Sequence, residues 1–278
     1  MHKPAASTKT GVKKLAIFGD SYSAPNRSSL TWPHHLARTH PDIAIANYAV
    51  PGATAEDDLG AQVSAFLSSK QDKTQDTVYV IFIGINDVGF SSDEEYEEAL
   101  ESITDAAHAL YTKARARRFV FADVPPMGRA PGAFADRSSL TTRVASWNTL
   151  LCSVLATWAT EYAHADVIVW RVHAAVDKFL DKPATYIHTR HKEGLDEDSE
   201  TRSSDTSADS DSNDEEEDDS VGSDCLTRQV RHFTEADVAH AGGTIWQDDV
   251  HLTSDVHRVV LAQSFAEEVL ARWSEVPK

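Results

Sequence analysis

The chain has 278 residues, 41% of them hydrophobic, and a formal net charge of −18 at pH 7. This length suits one α/β domain or two small ones, and the longest apolar run, Val78 to Ile83, is far shorter than the ~20 residues of a membrane helix. The negative balance argues against nucleic-acid binding, and two cysteines, Cys152 and Cys225, provide neither a disulfide framework nor a thiolate zinc site.

Alternating apolar runs and helical patterns follow along the chain. Five runs predict strands: Lys14 to Phe18, Ile43 to Ala49, Val78 to Ile83, Arg118 to Ala122 and Val167 to Trp170. Five patterns predict helices: Trp32 to His40, Asp93 to Arg115, Ser138 to Tyr162, His173 to Leu180 and Thr253 to Trp273. Thr31 is the expected N-cap of the first helix. The alternation indicates an α/β fold with a parallel sheet covered on both faces.

Two segments are expected to lie outside the folded core. The N-terminal residues 1–13 lack the apolar stretch of a secretory signal, which predicts a flexible extension and an intracellular, cytoplasmic protein. Residues 193–224, here called the acidic tract, hold fifteen acidic side chains against one base, Arg202; their net charge is −14, so the other 246 residues carry −4. Such a composition predicts a disordered insertion. Serine and threonine followed by an acid three residues later match acidophilic-kinase sites, so a kinase or another protein is the candidate partner of the tract.

Residues that can take part in catalysis lie where the predicted strands end. In open α/β sheets, ligands collect at the carboxyl ends of the strands. Four blocks lie at such points or just before the last helix: Gly19-Asp20-Ser21-Tyr22-Ser23, Pro51-Gly52-Ala53-Thr54, Gly84-Ile85-Asn86-Asp87 and Asp248-Asp249-Val250-His251. A serine needs a base to become a nucleophile, histidine suits that role, and a carboxylate can orient the histidine. Glycine N–H groups and an asparagine amide can stabilise an oxyanion. The residue types therefore fit ester hydrolysis.

These four blocks, in this order, resemble those of the SGNH hydrolases, also called the GDSL esterase/lipase family. The resemblance implies Ser21 as nucleophile, His251 as base and Asp248 as the orienting carboxylate. It also implies an oxyanion hole formed by the N–H groups of Ser21 and Gly52 and the side chain of Asn86. No metal and no organic cofactor is implied.

The resemblance extends to the fold. It implies a three-layer α/β/α sandwich with a central parallel sheet, of the flavodoxin-like SGNH hydrolase type. One domain is expected over residues 14–278, interrupted by the acidic tract. The first block continues Ser-Tyr-Ser rather than Ser-Leu, which resembles fungal acetylesterase-like members, and Pro51 precedes Gly52 in the second block. Because position 23 is Ser, the G-x-S-x-G elbow of α/β-hydrolases is missing.

Some residues allow a second interpretation. Asp249 adjoins Asp248 and competes with it for the orienting role. Both acids, with His251 and His257, could also be metal ligands, although no further ligand cluster supports that reading. Trp32 and Trp246 suit a substrate platform or plain core packing equally well.

The sequence favours a serine esterase that acts on small-molecule esters, with acetyl or other short acyl groups, through an acyl-enzyme intermediate. A lipase or phospholipase with a longer acyl site is the alternative within the same class. A catalytically idle binding protein that uses the acidic tract is the alternative from another class. No extended apolar lid is visible in the sequence, which favours short acyl chains.

Overall fold

A computed structural model describes residues 11–25, 29–69, 76–90, 96–183 and 245–273. The acidic tract and most of the N-terminal extension lie outside these ranges, so the predictions made for both stay predictions. The described residues form a central sheet with helices on its two faces.

The sheet has five strands in the order β2-β1-β3-β4-β5, and every neighbouring pair is parallel. The strands are β1 (Lys14–Gly19), β2 (Ala44–Asn47), β3 (Thr77–Phe82), β4 (Arg118–Ala122) and β5 (Asp166–Trp170). The whole of β3 is buried, as expected for a central strand covered on both faces. The chain winds outward in one direction from β1 to β2 and in the other from β3 to β5. Ligands bind at the carboxyl ends of the strands at such a reversal point.

Six helices and an irregular C-terminal segment cover the sheet. The helices are α1 (Trp32–Thr39), α2 (Leu59–Ser68), α3 (Ile85–Phe90), α4 (Tyr96–Lys113), α5 (Arg137–Glu161) and α6 (Val172–Asp181). The C-terminal helical segment, residues 254–273, begins as an α-helical turn, continues through π-helical turns and ends as a 3₁₀ turn. Helices α2, α4 and α5 pack together in one layer, while α1, α6 and the C-terminal helical segment form the other. The three-layer α/β/α prediction is confirmed.

Large aromatic side chains fill the interface between the sheet and the second helical layer. Trp32 on α1 and Trp170 at the end of β5 are fully buried, with ring centroids 5.1 Å apart. Phe265 of the C-terminal helical segment packs 4.8 Å from Trp32 and 5.1 Å from Trp170. Rings at such distances prefer tilted and edge-to-face geometry and add to the free energy gained from burial. This cluster anchors the C-terminal helical segment, which follows the last sequence block.

The predicted elements match the described ones with shifts at their ends. The fourth strand, Arg118–Ala122, has the predicted bounds, and the second is shorter than predicted, Ala44–Asn47. Thr31 does occupy the N-cap position of α1, but its hydroxyl donates to the Ala24 carbonyl at 3.1 Å instead of capping the helix. Helices α2 and α3 were not predicted. Among the described helices, none is long and apolar enough to cross a membrane.

Candidate active site

The first block turns sharply at the end of β1 because the strand packs very closely against β3. A side chain at Gly19 would collide with the Phe82 carbonyl oxygen, so only glycine fits there. The chain then turns around Asp20, whose carboxylate accepts a hydrogen bond from the Tyr22 N–H at 2.9 Å. This turn leaves Ser21 partly exposed at the carboxyl edge of the sheet.

The last block lies in a compact loop, residues 245–253, here called the Asp–His loop. Trp246 and Leu252 form an antiparallel bridge across its base, and the Gln247 N–H donates to the His251 carbonyl at 2.8 Å. One carboxylate oxygen of Asp248 accepts the N–H group of His251 at 2.7 Å. The loop therefore holds the carboxylate and the imidazole together by local hydrogen bonds.

The structure brings together the three residues for which catalytic roles were predicted. Ser21 Oγ lies 2.8 Å from His251 Nε2. His251 Nδ1 lies 2.8 Å from Asp248 Oδ2. Of the two competing acids, Asp248 therefore contacts the imidazole, whereas the backbone carbonyl of Asp249 accepts a hydrogen bond from the Gly132 N–H at 2.9 Å. This arrangement is the one in which histidine can take the serine proton while a carboxylate orients its ring.

The pKa of Asp248 is lowered and that of His251 is raised, and both shifts favour the charged forms of the two side chains. Partial burial raises the pKa of Asp248, but hydrogen bonds from the His251 side chain and backbone outweigh it and lower that pKa to about 2. The hydrogen bond to Asp248 raises the pKa of His251 above its usual value, against the effect of burial. Asp248 is thus ionised at neutral pH and stabilises a proton on His251.

The second and third blocks are joined to each other by two hydrogen bonds. The Asn86 side-chain amide donates to the Ala53 carbonyl at 2.8 Å, and the Ala55 N–H donates to the Asp87 carboxylate at 2.9 Å. Gly52 has a φ of 79°, a left-handed conformation that favours glycine. Because an amide nitrogen carries two hydrogens, the bond to Ala53 orients Asn86 and leaves one donor for a ligand.

Two buried carboxyl groups lie beneath this edge of the sheet. Burial raises the pKa of Asp20 to about 7, and the charge of Asp87 adds to that shift. Burial likewise raises the pKa of Asp87 to about 6. Both groups can therefore carry a proton near neutral pH, which limits the negative charge under the site.

Three supporting contacts were not predicted from the sequence. Gln62 on α2 forms two 2.8 Å hydrogen bonds with the backbone of Gly19, which fix the end of β1. The Tyr22 hydroxyl donates to the Val250 carbonyl at 2.8 Å. Gly132 supports the Asp–His loop through Asp249. Of these residues, only Tyr22 stands out in the sequence, because it replaces the Leu that the family resemblance leads us to expect after the serine.

Burial decides between the two interpretations of the tryptophans. Trp32 and Trp246 are 0% and 3% exposed, so both belong to the core and neither offers a platform to a substrate. The Trp32 indole donates to Ser23 Oγ at 3.0 Å. Within the described ranges, no group of three or more His, Cys, Asp or Glu side chains is arranged to hold a metal ion.

Comparison with known proteins agrees with the predicted fold and with the predicted family. The fold and the matched family together define the class, a carboxylic ester hydrolase. More narrowly, the chain belongs to the family of GDSL-like lipases/acylhydrolases, whose model matches residues 15–263. No curated protein sequence matches the chain.

Three solved structures share the fold of this chain at low sequence identity. A lipase/acylhydrolase from Enterococcus faecalis is 15% identical, with a TM-score of 0.51, and the match covers 96% of this chain and 100% of the other. A lipolytic G-D-S-L family protein from Veillonella parvula is 12% identical, with a TM-score of 0.51 and coverage of 92% and 97%. An acetylxylan esterase from Geobacillus stearothermophilus is 15% identical, with a TM-score of 0.51 and coverage of 95% and 97%.

Proposed function

We propose that the protein is a serine esterase that hydrolyses small-molecule esters of acetyl or other short acyl groups. The observation that carries this proposal is the 2.8 Å contact between Ser21 Oγ and His251 Nε2, with Asp248 on the other ring nitrogen. A neutral histidine at this distance is within reach of the hydroxyl proton. The hydroxyl of Ser21 is therefore the proposed nucleophile.

The proposed reaction proceeds in two halves. His251 removes the Ser21 proton while Oγ attacks the ester carbonyl, and the resulting oxyanion accepts hydrogen bonds from the N–H groups of Ser21 and Gly52 and from the Asn86 amide. His251 then gives its proton to the leaving alcohol, which departs and leaves an acyl-enzyme. A water molecule, deprotonated by His251, releases the acid and restores Ser21. Each step uses only these side chains, the two backbone N–H groups and water.

Two observations support a short acyl group. Among the described residues, only three large hydrophobic side chains are exposed, those of Val50, Phe134 and Leu150. A long acyl chain needs a continuous apolar lining. The acetylxylan esterase from G. stearothermophilus has acetylated xylan in its name and shares the fold.

A fluorophosphonate probe tests the nucleophile, because it reacts with a serine that a neighbouring base has activated. The wild type is expected to be labelled, and Ser21→Ala is expected to lose the label while its circular dichroism is unchanged. Ser153→Ala, at an exposed serine on α5, is the matched control and keeps the label. Absence of labelling in folded wild type would contradict the proposal and favour the catalytically idle binding protein.

Nitrophenyl esters from acetyl to palmitoyl test the acyl group. We expect kcat/KM to be highest for the shortest acyl chains and to fall as the chain lengthens. A maximum at long chains would instead support the lipase or phospholipase alternative, without affecting the assignment of Ser21.

A further inference from the structure

Tyr22 connects the two halves of the candidate site. It follows Ser21 directly, its side chain is 1% exposed, and its hydroxyl donates to the Val250 carbonyl at 2.8 Å. Val250 directly precedes His251. One hydrogen bond therefore joins the neighbour of the proposed nucleophile to the neighbour of the proposed base, across 228 positions of sequence.

The geometry inside the Asp–His loop does not depend on Tyr22. Asp248 holds His251 through its side-chain and backbone contacts, and both residues belong to the loop. The distance from His251 to Ser21 is different, because it depends on how the whole loop sits on the sheet. Two backbone carbonyls of the loop accept hydrogen bonds from residues more than 100 positions away in the sequence, Val250 from Tyr22 and Asp249 from Gly132.

The Tyr22 phenol is held firmly enough to act as an anchor. Its ring packs edge-on against Phe82 at 5.9 Å and against His257 at 5.6 Å. Its backbone N–H is fixed by the Asp20 carboxylate. Burial and the nearby charges of Asp20 and Asp248 raise the pKa of Tyr22, so the phenol keeps its proton and is a donor at neutral pH.

We propose that Tyr22 is a positioning residue that holds the Asp–His loop over Ser21 through its hydrogen bond to Val250. The inference rests on the proposed function, since it assigns a role in aligning the same serine and histidine. It also gives a physical reason for the departure from Ser-Leu at this position. Leucine could fill part of the same space, but it has no donor for the Val250 carbonyl.

Tyr22→Phe tests the inference, because it keeps the ring and its packing and removes only the donor. A displacement of a reacting group by about 1 Å can cost about 100-fold in rate, so we expect kcat to fall roughly 10- to 100-fold with KM nearly unchanged. Labelling by the fluorophosphonate should slow by the same factor. The acid limb of the pH–rate profile should stay where it is, because Asp248 still contacts His251 and Asp20 is unaltered.

Tyr79→Phe is the matched control. Tyr79 on β3 is also 1% exposed, and its hydroxyl is buried without a hydrogen-bond partner among the described residues. The same chemical change at this position should leave kcat, KM and the labelling rate at wild-type values. Thermal unfolding of both variants shows whether either substitution affects the fold.

The outcomes separate this inference from the proposed function. If the wild type is labelled and active but Tyr22→Phe retains its kcat, the inference is overturned while the esterase proposal stands. If Tyr22→Phe loses activity only in proportion to a loss of folded protein, Tyr22 is a packing residue and the inference is again overturned. If the folded wild type is not labelled, the proposed function itself has failed. A folded Tyr22→Phe with reduced kcat and an unshifted acid limb supports the inference.

Discussion

At the scale of single residues, the two ring nitrogens of His251 have different roles. Nε2 must be neutral to accept the Ser21 proton, while Nδ1 faces a carboxylate that favours the protonated ring. The His251 side chain is 39% exposed and that of Asp248 is 47% exposed, so water can reach both groups. The electrostatic attraction between Asp248 and protonated His251 is therefore weaker than it would be in an interior without water.

Asp248→Asn should change both the height and the position of the pH–rate profile. Activity requires neutral His251 and therefore rises as pH increases through its pKa. The hydrogen bond to Asp248 is the main cause that raises this pKa, so its loss should move the acid limb to lower pH. The plateau of kcat/KM should fall by roughly 10²- to 10⁴-fold, because an amide no longer stabilises the imidazolium.

Asp249→Asn provides the control, since it makes the same change at the adjacent acid. It should keep both the plateau and the acid limb of the wild type. A larger loss in Asp249→Asn than in Asp248→Asn would reverse the assignment of the orienting carboxylate.

The residues of the candidate triad were predicted from the resemblance of the four blocks to those of the SGNH hydrolases, and each residue lies in a short motif that the sequence itself displays. Asp248 and His251 are three positions apart, and Ser21 follows a strand that its apolar run identifies. Tyr22 and Gln62 could not be predicted in the same way. Their partners lie 228 and 43 positions away, and a polar side chain near a motif does not indicate which distant backbone group it will meet.

At the scale of elements, the carboxyl end of β4 supports the beginning of α6 through one buried acid. Asp123 is 4% exposed and accepts the His173 N–H at 2.7 Å, in the first turn of that helix. Its own N–H donates to the Trp170 carbonyl at 3.1 Å. Burial raises the pKa of Asp123 to about 6, although the His173 N–H and Arg171 lower it.

Asp123→Asn should remove a pH-dependent part of the stability. A carboxyl whose folded pKa lies above its unfolded value, about 6 against 3.8, stabilises the fold at low pH and loses that contribution as pH rises through about 6. Relative to that of the Asn variant, the free energy of unfolding of the wild type should fall by on the order of 2 kcal/mol between pH 4 and pH 7. Urea unfolding at both values measures this difference. Parallel pH profiles for the two proteins would contradict the raised pKa.

The elements themselves were predictable to different degrees. The strand Arg118–Ala122 is a short run that is apolar after its first residue, and burial on two faces requires such a run. Helix α2 was missed because Leu59–Ser68 is short and begins with Leu-Gly, so its local sequence favours a helix only weakly. Packing of α2 against β1 and α4 stabilises the helix despite this weak local preference. In the C-terminal helical segment, apolar spacing predicted a helix but could not indicate its π-helical turns.

At the scale of the whole molecule, the charge is divided unequally along the chain. The acidic tract carries −14 of the total of −18 and precedes the Asp–His loop in sequence. The described residues already provide the contacts that seat this loop, from Tyr22 and Gly132, and the C-terminal helical segment is packed against α1 and α6. All of these contacts are made between described residues. Seating of the loop is therefore expected to be independent of it.

Deleting residues 193–224 should leave kcat, KM and the thermal midpoint near their wild-type values. Residues 184–192 and 225–244 remain as a connection of 29 residues, which can extend over roughly 90 Å and so leaves the Asp–His loop free to reach its place. A variant of full length with the acids of the tract changed to Asn and Gln separates charge from chain length. If the deletion alone lowers both activity and the midpoint, the tract contributes to the fold as a connection. If both variants lower them, its charge is required, and the prediction of a loose insertion is wrong.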